Sequence, residues 1–137
     1  MFGAWWFGRF LKSARNERSA RFVVCLRETG EIVGQCGLGD IVRGPFQSCY
    51  MGYWIGAAHT RRGYMSEAVR LALRHAFTQL QLHRVEANIV PRNRASKGLA
   101  RKVGFRYEGT AKRYLKIAGK WEDHEHWAMT AEDWKAK

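Results

Sequence analysis

The sequence predicts an α/β fold, in which helices flank a mixed, mostly antiparallel sheet, within a single domain over residues 1–137. Three observations lead to this prediction. Three strand-like segments follow one another in the first half of the chain, two amphipathic helical segments come next, each after a strand, and two further strand-like segments lie near the end. A strand–helix–strand unit among antiparallel strands gives one parallel crossover.

The first segment, Met1–Arg21, predicts an amphipathic helix that packs on the sheet. Its apolar residues recur at helical spacing with basic residues between them. They are Trp5, Trp6, Phe7, Phe10, Leu11 and Ala14. Because the segment is rich in arginine and poor in acidic residues, a transit peptide or a helix on a membrane surface is the alternative.

The next three segments predict an antiparallel meander. Arg21–Arg27 is a strand, and Glu28–Glu31 is a hairpin turn in which Gly30 can adopt a positive φ. Ile32–Leu38 is the returning strand, and the aromatic-rich segment Cys49–Gly56 is the third.

A basic turn connects the third strand to the clearest helix of the sequence. Apolar residues at i, i+3 and i+4 predict a helix over Tyr64–Leu80. Before it stand Arg61, Arg62 and Gly63. The first N–H groups of a helix lack partners within it and carry partial positive charge, so this turn predicts a phosphate site.

The remaining elements are a strand over His83–Val90, a helix ending near Val103, and two strands joined by the turn Ala118–Gly119. In the first of these strands Glu86 and Asn88 share one face. The helix is predicted to start at an Asn93 cap and to end at a Gly104 cap. The segment Trp121–Met129 is predicted to be the last strand.

Composition limits the class of protein. The formal net charge of +12 favours acidic partners such as nucleic acid, a ribosome, anionic lipid or a phosphorylated cofactor, although a solvated basic surface explains it equally. Cys25, Cys36 and Cys49 are odd in number and lack CxxC spacing, which predicts free thiols in a cytoplasmic protein. No apolar run approaches the length of a membrane span, so we expect no membrane partner.

Five stretches together resemble the N-acetyltransferases of the GNAT superfamily, and in particular the RimJ/RimL type, which acetylates the N-termini of ribosomal proteins. They are Arg61–Ala68, His83–Asn88, Asn93–Ser96, Val103–Phe105 with Glu108–Gly109, and Tyr114–His124. They occur in the order and at the spacing of the family between about Ile32 and Trp134. The resemblance implies the GNAT fold and an acetyl-CoA cofactor.

The resemblance also implies residue roles at the cofactor site. Those implied to hold acetyl-CoA are Ile55, Arg61, Arg62, Gly63, Tyr64, Met65, Asn93 and Ser96, with a backbone N–H near Ile55 stabilising the oxyanion. The basic residues Arg94, Lys97, Arg101 and Lys102 are candidates for the 3′-phosphate, and a solvated helix face is their plain explanation.

The chain departs from the family in three places. Thr60 and Met65 replace the usual residues at the ends of the phosphate turn, which puts the weight on backbone N–H groups. Ala100 occupies the slot of the tyrosine that protonates the departing thiolate in many relatives, and Ser96 maps onto the substitute proposed for RimL-like members. The family's first strand and helix are expected to be missing, and three explanations stay open: a truncated chain, a misassigned start, or a second copy that covers the open edge in a homodimer.

The remaining catalytic candidates are Glu86 as the base, Asn88 on the substrate side and Tyr114 at either the catalytic or the substrate position. Each has a structural alternative, which is an ion-paired glutamate or an ordinary strand residue. Ser96 could equally be a helix serine bonded to a backbone carbonyl. His124 and His126 stand two apart on a strand and supply two metal ligands at most, so no metal is expected.

We therefore expect an acetyl-CoA-dependent N-acetyltransferase that acts on a protein N-terminus, with ribosome association through the basic surface. An acetylase of polyamines, aminoglycosides or another small amine is the alternative within the superfamily. A catalytically weak remnant that binds RNA or the ribosome is the alternative outside enzymes. A cationic substrate favours a carboxylate-lined pocket, and this chain has 12 acidic residues against 24 basic ones, which argues against the small-amine alternative.

Overall fold

One mixed sheet organises the residues that the computed structural model describes, which are 5–9, 18–26, 29–55 and 63–136, with the backbone alone in 5–9 and at Ile55. The strands are β1 (Trp5–Arg9), β2 (Ala20–Leu26), β3 (Ile32–Val42), β4 (Ser48–Ile55), β5 (Arg84–Ile89), β6 (Arg106–Ile117) and β7 (Lys120–Thr130). The α-helices are α1 (Tyr64–Arg74), α2 (Arg94–Val103) and α3 (Ala131–Lys135).

The described strands lie in the order β1-β2-β3-β4-β5-β7-β6. All neighbours are antiparallel except β4 and β5, which are parallel. Parallel neighbours need a crossover connection, and α1 lies within it. The predicted mixed, mostly antiparallel sheet, its meander and its single parallel crossover are therefore confirmed.

The prediction of a helix over Met1–Arg21 is wrong where the structure describes that segment. Trp5–Arg9 is strand β1, which pairs antiparallel with β2. Trp5 lies opposite Leu26 and Arg9 lies opposite Phe22. Strand β2 itself begins at Ala20. The segment is aromatic-rich and lies beside the open edge of β2, so ladder hydrogen bonds and β propensity outweigh a helical pattern of apolar residues. The rest of this prediction lies outside the described residues.

The core lies between the sheet and the two long helices. The predicted helix Tyr64–Leu80 is confirmed in extent, because α1 continues as a π-helical turn over His75–Gln79 that ends at Leu80. Its inward residues pack in one apolar cluster with residues of the central strands, among them Leu38, Val85 and Met129, each at most 1% exposed. Burying one such side chain contributes roughly 1.5–3 kcal/mol.

The chain end carries a short helix that the sequence analysis did not predict. Thr130 caps α3 by accepting a hydrogen bond from the Asp133 N–H, and the Asp133 carboxylate accepts one from the Thr130 N–H. This reciprocal capping box was readable as threonine followed three residues later by an acidic residue. Its apolar neighbours are few, which is why periodicity missed it.

All three cysteines are buried free thiols, as predicted. Burial raises the pKa of Cys36 and of Cys49 to about 12 in each case, so both stay protonated at neutral pH. None of the helices that the structure describes has the length and apolar character to span a membrane.

Candidate active site

The parallel pair β4 and β5 is joined over a short stretch only. Ser48 pairs with Arg84 and Tyr50 pairs with Glu86, and beyond Tyr50 and Glu86 the two strands are no longer paired with each other. Met51–Ile55 and Ala87–Ile89 thus border a gap, which we call the wedge. Backbone N–H and C=O groups on its inner edges are available to a ligand that carries amide groups.

Both α1 and α2 begin just beyond the C-terminal ends of these two parallel strands. Ligands of open α/β sheets bind at this edge. Gly63 stands at the cap of α1 with φ of 80°, in the left-handed region that favours glycine, and its carbonyl accepts hydrogen bonds from Ser66 Oγ at 3.0 Å and from the Glu67 N–H at 3.2 Å. The start of α1 therefore has the backbone geometry that suits an anion.

The predicted phosphate turn is described in part. Arg61 and Arg62 lie outside the described residues, whereas Gly63, Tyr64 and Met65 form the described helix start. The side chains of Tyr64 and Met65 are buried in the core. Only their backbone groups can therefore face a ligand, in line with the expectation that side chains contribute little at these positions.

The start of α2 lies beside β4. Asn93 caps the helix, because its Oδ1 accepts a hydrogen bond from the Ser96 N–H at 3.1 Å, and Gly104 ends the helix with φ of 112°. Both predicted caps are confirmed. The Tyr53 hydroxyl donates to the Ser96 carbonyl at 3.2 Å, which joins α2 to β4 across the helix-covered side of the sheet.

This contact places Tyr53 among the site residues that the sequence analysis missed. Burial raises its pKa, so its hydroxyl stays protonated at neutral pH. Ser96 Oγ forms no hydrogen bond within the part of the chain that the structure describes. The Ser96 hydroxyl is therefore available on this side of the wedge, and the Tyr53 hydroxyl is bonded to the carbonyl of the same residue.

Two of the four basic residues proposed for the 3′-phosphate already have partners. Lys97 Nζ lies 3.2 Å from Glu125 Oε2, and the Arg101 guanidinium lies over the Trp127 ring at 5.4 Å from its centroid. Both contacts fasten α2 to β7. Arg94 and Lys102 are exposed on the helix.

The opposite side of the sheet carries a group of polar residues that we call the polar face: Tyr50, Glu86, Asn88, Tyr114 and His126. His126 on β7 is the register partner of Asn88 on β5. Its Nδ1 lies 2.7 Å from Asn88 Oδ1 and 3.0 Å from Glu86 Oε1. The predicted residues Glu86 and Asn88 are thus brought together by a histidine that the sequence analysis weighed only as a metal ligand.

Tyr114 completes this polar face. Its ring lies edge-on to the His126 ring, with 4.8 Å between centroids, and its hydroxyl lies 3.3 Å from the Tyr50 hydroxyl. The hydrogen bond to Tyr114, assisted by burial, raises the pKa of Tyr50 to about 12. Tyr50 is another residue that sequence reasoning missed, since nothing in the sequence pairs it with Tyr114.

The carboxylates of this side are neutralised by arginines. Arg84 contacts Glu86 at 3.2 Å and Glu108 at 2.6 Å, while Arg106 contacts Glu108 at 3.0 Å and Asp133 at 2.9 Å. The hydrogen bond from Arg84 holds the pKa of Glu108 below its usual value, with a further contribution from Arg106. Glu86, the predicted base, therefore has its carboxylate oxygens engaged by Arg84 and His126.

His124 and Glu125, the two residues before His126 on β7, contact separate partners. His124 Nδ1 donates to the Glu122 carbonyl at 2.9 Å, and Glu125 faces α2 through Lys97. Within the described ranges no three His, Cys, Asp or Glu side chains are arranged to hold a metal ion.

Comparison with known proteins assigns a family model to most of the chain. The model of the acetyltransferase (GNAT) domain matches residues 3–106. These residues include the phosphate turn, the wedge and both helices that begin beside it.

Three relatives illustrate the similarity. The probable N-acetyltransferase YjcK of Bacillus subtilis is 43% identical over 118 residues, covering 86% of this chain and 65% of YjcK. The ribosomal protein uS5-alanine N-acetyltransferase of Escherichia coli is 42% identical over 104 residues, 76% of this chain and 54% of that enzyme. The structure of Mycobacterium smegmatis RimJ in complex with CoA-disulfide superposes with a TM-score of 0.83 at 42% identity, covering 89% of this chain and 57% of RimJ.

The chain thus spans between about half and two thirds of the length of these relatives.

Proposed function

Because the chain belongs to the acetyltransferase (GNAT) domain family, we propose that the protein binds acetyl-CoA in the wedge and transfers the acetyl group to an amine, the N-terminal α-amino group of a ribosomal protein. One structural observation carries the proposal. The pairing of β4 with β5 ends at Tyr50–Glu86, so a ligand can lie between the strands with helix starts at one end and the polar face beside it.

The cofactor fits this arrangement by its chemistry. Coenzyme A carries amides, which can pair with the free backbone edges of the wedge, and a pyrophosphate, which suits the start of α1 at Gly63–Met65. When bound, acetyl-CoA supplies the thioester that the amine attacks. Arg61, Arg62 and Ile55 remain proposed contacts, as does Asn93 beside its capping role.

Ser96 remains the proposed donor of a proton to the departing thiolate. Its backbone is held by Asn93 and Tyr53, while its hydroxyl is not used by a described neighbour. The Tyr53 hydroxyl is the nearest structural alternative, because it is tied to the same helix turn.

An α-amino acceptor suits a site without a strong base. With a pKa near 8, about a tenth of such amines are neutral at pH 7, whereas a lysine with a pKa near 10.4 is well under ~0.1% neutral. We propose Glu86 and Tyr114 near the amine and Asn88 on the substrate side. Because Arg84 and Arg106 neutralise the carboxylates here, the polar face offers little attraction to a polyamine.

The names of two relatives support the choice of acceptor. One is called a uS5-alanine N-acetyltransferase and the other RimJ, and both are 42% identical to this chain. We propose that the basic surface assists association with the ribosome. A cytoplasmic location and a homodimer are part of the same proposal and remain predictions.

Release of coenzyme A in the presence of a uS5 N-terminal peptide that begins with alanine tests the proposal. The matched controls are the same peptide with its N-terminus already acetylated and spermidine at equal concentration. We expect coenzyme A release with the free peptide and with neither control. Release with spermidine alone would establish the small-amine alternative, and no release with any amine, together with tight salt-sensitive RNA binding, would establish the RNA-binding remnant.

A further inference from the structure

We propose that His126 accepts the proton of the incoming amine and that Glu86 and Asn88 are positioning residues that hold its imidazole for this role. The inference rests on the proposed acetyl transfer and replaces Glu86 as the group that takes the proton.

The hydrogen bonds of Nδ1 define the tautomer. Nδ1 lies 2.7 Å from Asn88 Oδ1 and 3.0 Å from Glu86 Oε1, and both of these atoms are acceptors. Nδ1 must therefore carry the hydrogen. In the neutral ring the lone pair then lies on Nε2, the nitrogen that can accept a proton.

Nε2 is open to a ligand on the described part of the chain. It has no hydrogen-bond partner there, and it is not among the buried polar atoms that lack one. The His126 side chain is 22% exposed, so water reaches the ring while Tyr114 covers one side of it. A small polar group such as an amine can approach such a nitrogen.

The position of His126 relative to the wedge supports the same role. Its register partner Asn88 lies two residues beyond Glu86, which is the last residue of β5 paired with β4. His126 therefore lies level with the first part of the wedge. An amine that contacts Nε2 would be close to the strand edges where we propose the thioester to lie.

Glu86 is less suited to accept the proton itself. Its Oε2 receives hydrogen bonds from two nitrogens of Arg84, and its Oε1 receives one from His126. Both carboxylate oxygens are thus already engaged by donors, with which the N–H of an incoming amine would have to compete.

The amine nitrogen attacks the thioester carbonyl carbon, a C–N bond forms, and the nitrogen loses one proton to His126 Nε2. The C–S bond breaks, and coenzyme A leaves as a thiolate that takes up a proton from a hydroxyl or from water. His126 then returns its proton to solvent. No oxidant or further reactant is needed.

The replacement His126→Asn separates a positioning role from a proton-accepting one. The asparagine amide nitrogen can take the place of Nδ1 and keep the bonds to Glu86 and Asn88, but nothing replaces Nε2. We expect kcat to fall on the order of a hundredfold, the usual scale for a lost general base, with acetyl-CoA binding and thermal stability unchanged. His83→Gln is the matched control, because His83 contacts the exposed Glu132 and should leave kcat unchanged.

An active wild type with an equally active His126→Asn variant would overturn the role of His126 and leave the proposed function standing. A wild type that releases no coenzyme A with any amine would overturn both. His126→Gln is a second variant. The glutamine amide nitrogen occupies the place of Nε2 but cannot accept a proton, so we expect this variant to be as inactive as His126→Asn.

Nitrogen-15 NMR of the imidazoles provides a readout that does not depend on turnover. We expect His126 to be in the Nδ1–H tautomer when neutral and to keep it in Glu86→Gln, because Asn88 Oδ1 and the glutamine amide oxygen can still accept the hydrogen bond. The groups facing its ring are Glu86 and Asn88 from β5 and Tyr114 from β6, with Arg84 behind Glu86. An Nε2–H tautomer in the wild type would overturn the proposal.

Discussion

The two sides of the proposed active site are built from different parts of the chain. On the cofactor side, the starts of α1 and α2 present backbone groups from segments that are continuous in sequence. On the amine side, the polar face collects side chains from β4, β5, β6 and β7. A backbone cradle depends on local chain geometry, whereas the polar face depends on sheet register, so substitutions should affect the two sides in different ways.

The largest effect on acetyl-CoA binding should come from Gly63→Val. At φ of 80° a side chain is strained by ~1–2 kcal/mol, and relieving the strain would move the N–H groups of the cradle. We expect calorimetry to show affinity reduced on the order of tenfold or more. Arg62→Ala should reduce the acetyl-CoA affinity less, because it removes a side chain and leaves the backbone of the turn unchanged.

Gly30→Val is the control for the strain itself. Gly30 has φ of 76° in the β2–β3 turn, with no atom within 4 Å of an added Cβ. It should lose a similar amount of stability and bind acetyl-CoA normally. If Arg62→Ala weakened binding more than Gly63→Val, the cofactor side would depend on side chains and the contrast between the two sides would fail.

The next effect should be that of Ser96→Ala on turnover. Asn93 caps α2 through the Ser96 backbone, so removing the hydroxyl leaves the helix start intact. We expect kcat to fall several-fold with acetyl-CoA binding almost unchanged, which is the pattern of an interaction made only in the transition state.

Tyr53→Phe provides the companion measurement, because the Tyr53 hydroxyl contacts the same helix turn. A normal kcat in Ser96→Ala together with a reduced kcat in Tyr53→Phe would assign the thiolate's proton donor to β4. Normal values in both variants would leave water as the donor.

Sequence alone predicted the elements that frame the proposed cofactor side, because their signals are local. The Asn93 and Gly104 caps, the helix from Tyr64 and the preceding strand each follow from neighbouring residues, and the structure confirms them. The polar face was only partly predictable. Glu86 and Asn88 were placed on one face by alternation, but the His126 partner depends on β5–β7 register across 38 residues, which no local pattern encodes.

The helix prediction for the N-terminal segment was wrong for a related reason. Its spacing of aromatic residues suits a helix, but the edge of β2 is a long-range feature that the segment can pair with as strand β1. Backbone pairing with a neighbour outweighs a local pattern when the residues also have high β propensity.

The smallest effect, and the test most specific to the amine side, concerns Glu108. Its pKa is lowered mainly by the hydrogen bond from Arg84, so its folded pKa lies below its unfolded one. Such a carboxylate stabilises the fold above the unfolded pKa, near 4.3, and loses that contribution as the pH falls through the folded pKa. Urea unfolding should therefore show stability falling from about pH 5 downward, and less steeply in Glu108→Gln.

Glu132→Gln is the matched control for this pH dependence. The Glu132 pKa is also lowered, chiefly by a hydrogen bond from its own backbone N–H and further by His83, but its side chain is 74% exposed, so salt should screen the charge interaction. Glu108 shares Arg84 with Glu86, so Glu108→Gln should free Arg84 to bind Glu86 more closely. We expect this change to alter kcat slightly and to leave the acetyl-CoA affinity unchanged. A loss of acetyl-CoA affinity in Glu108→Gln would mean that the two sides are coupled through β5, and that the backbone cradle is not independent of the side-chain register.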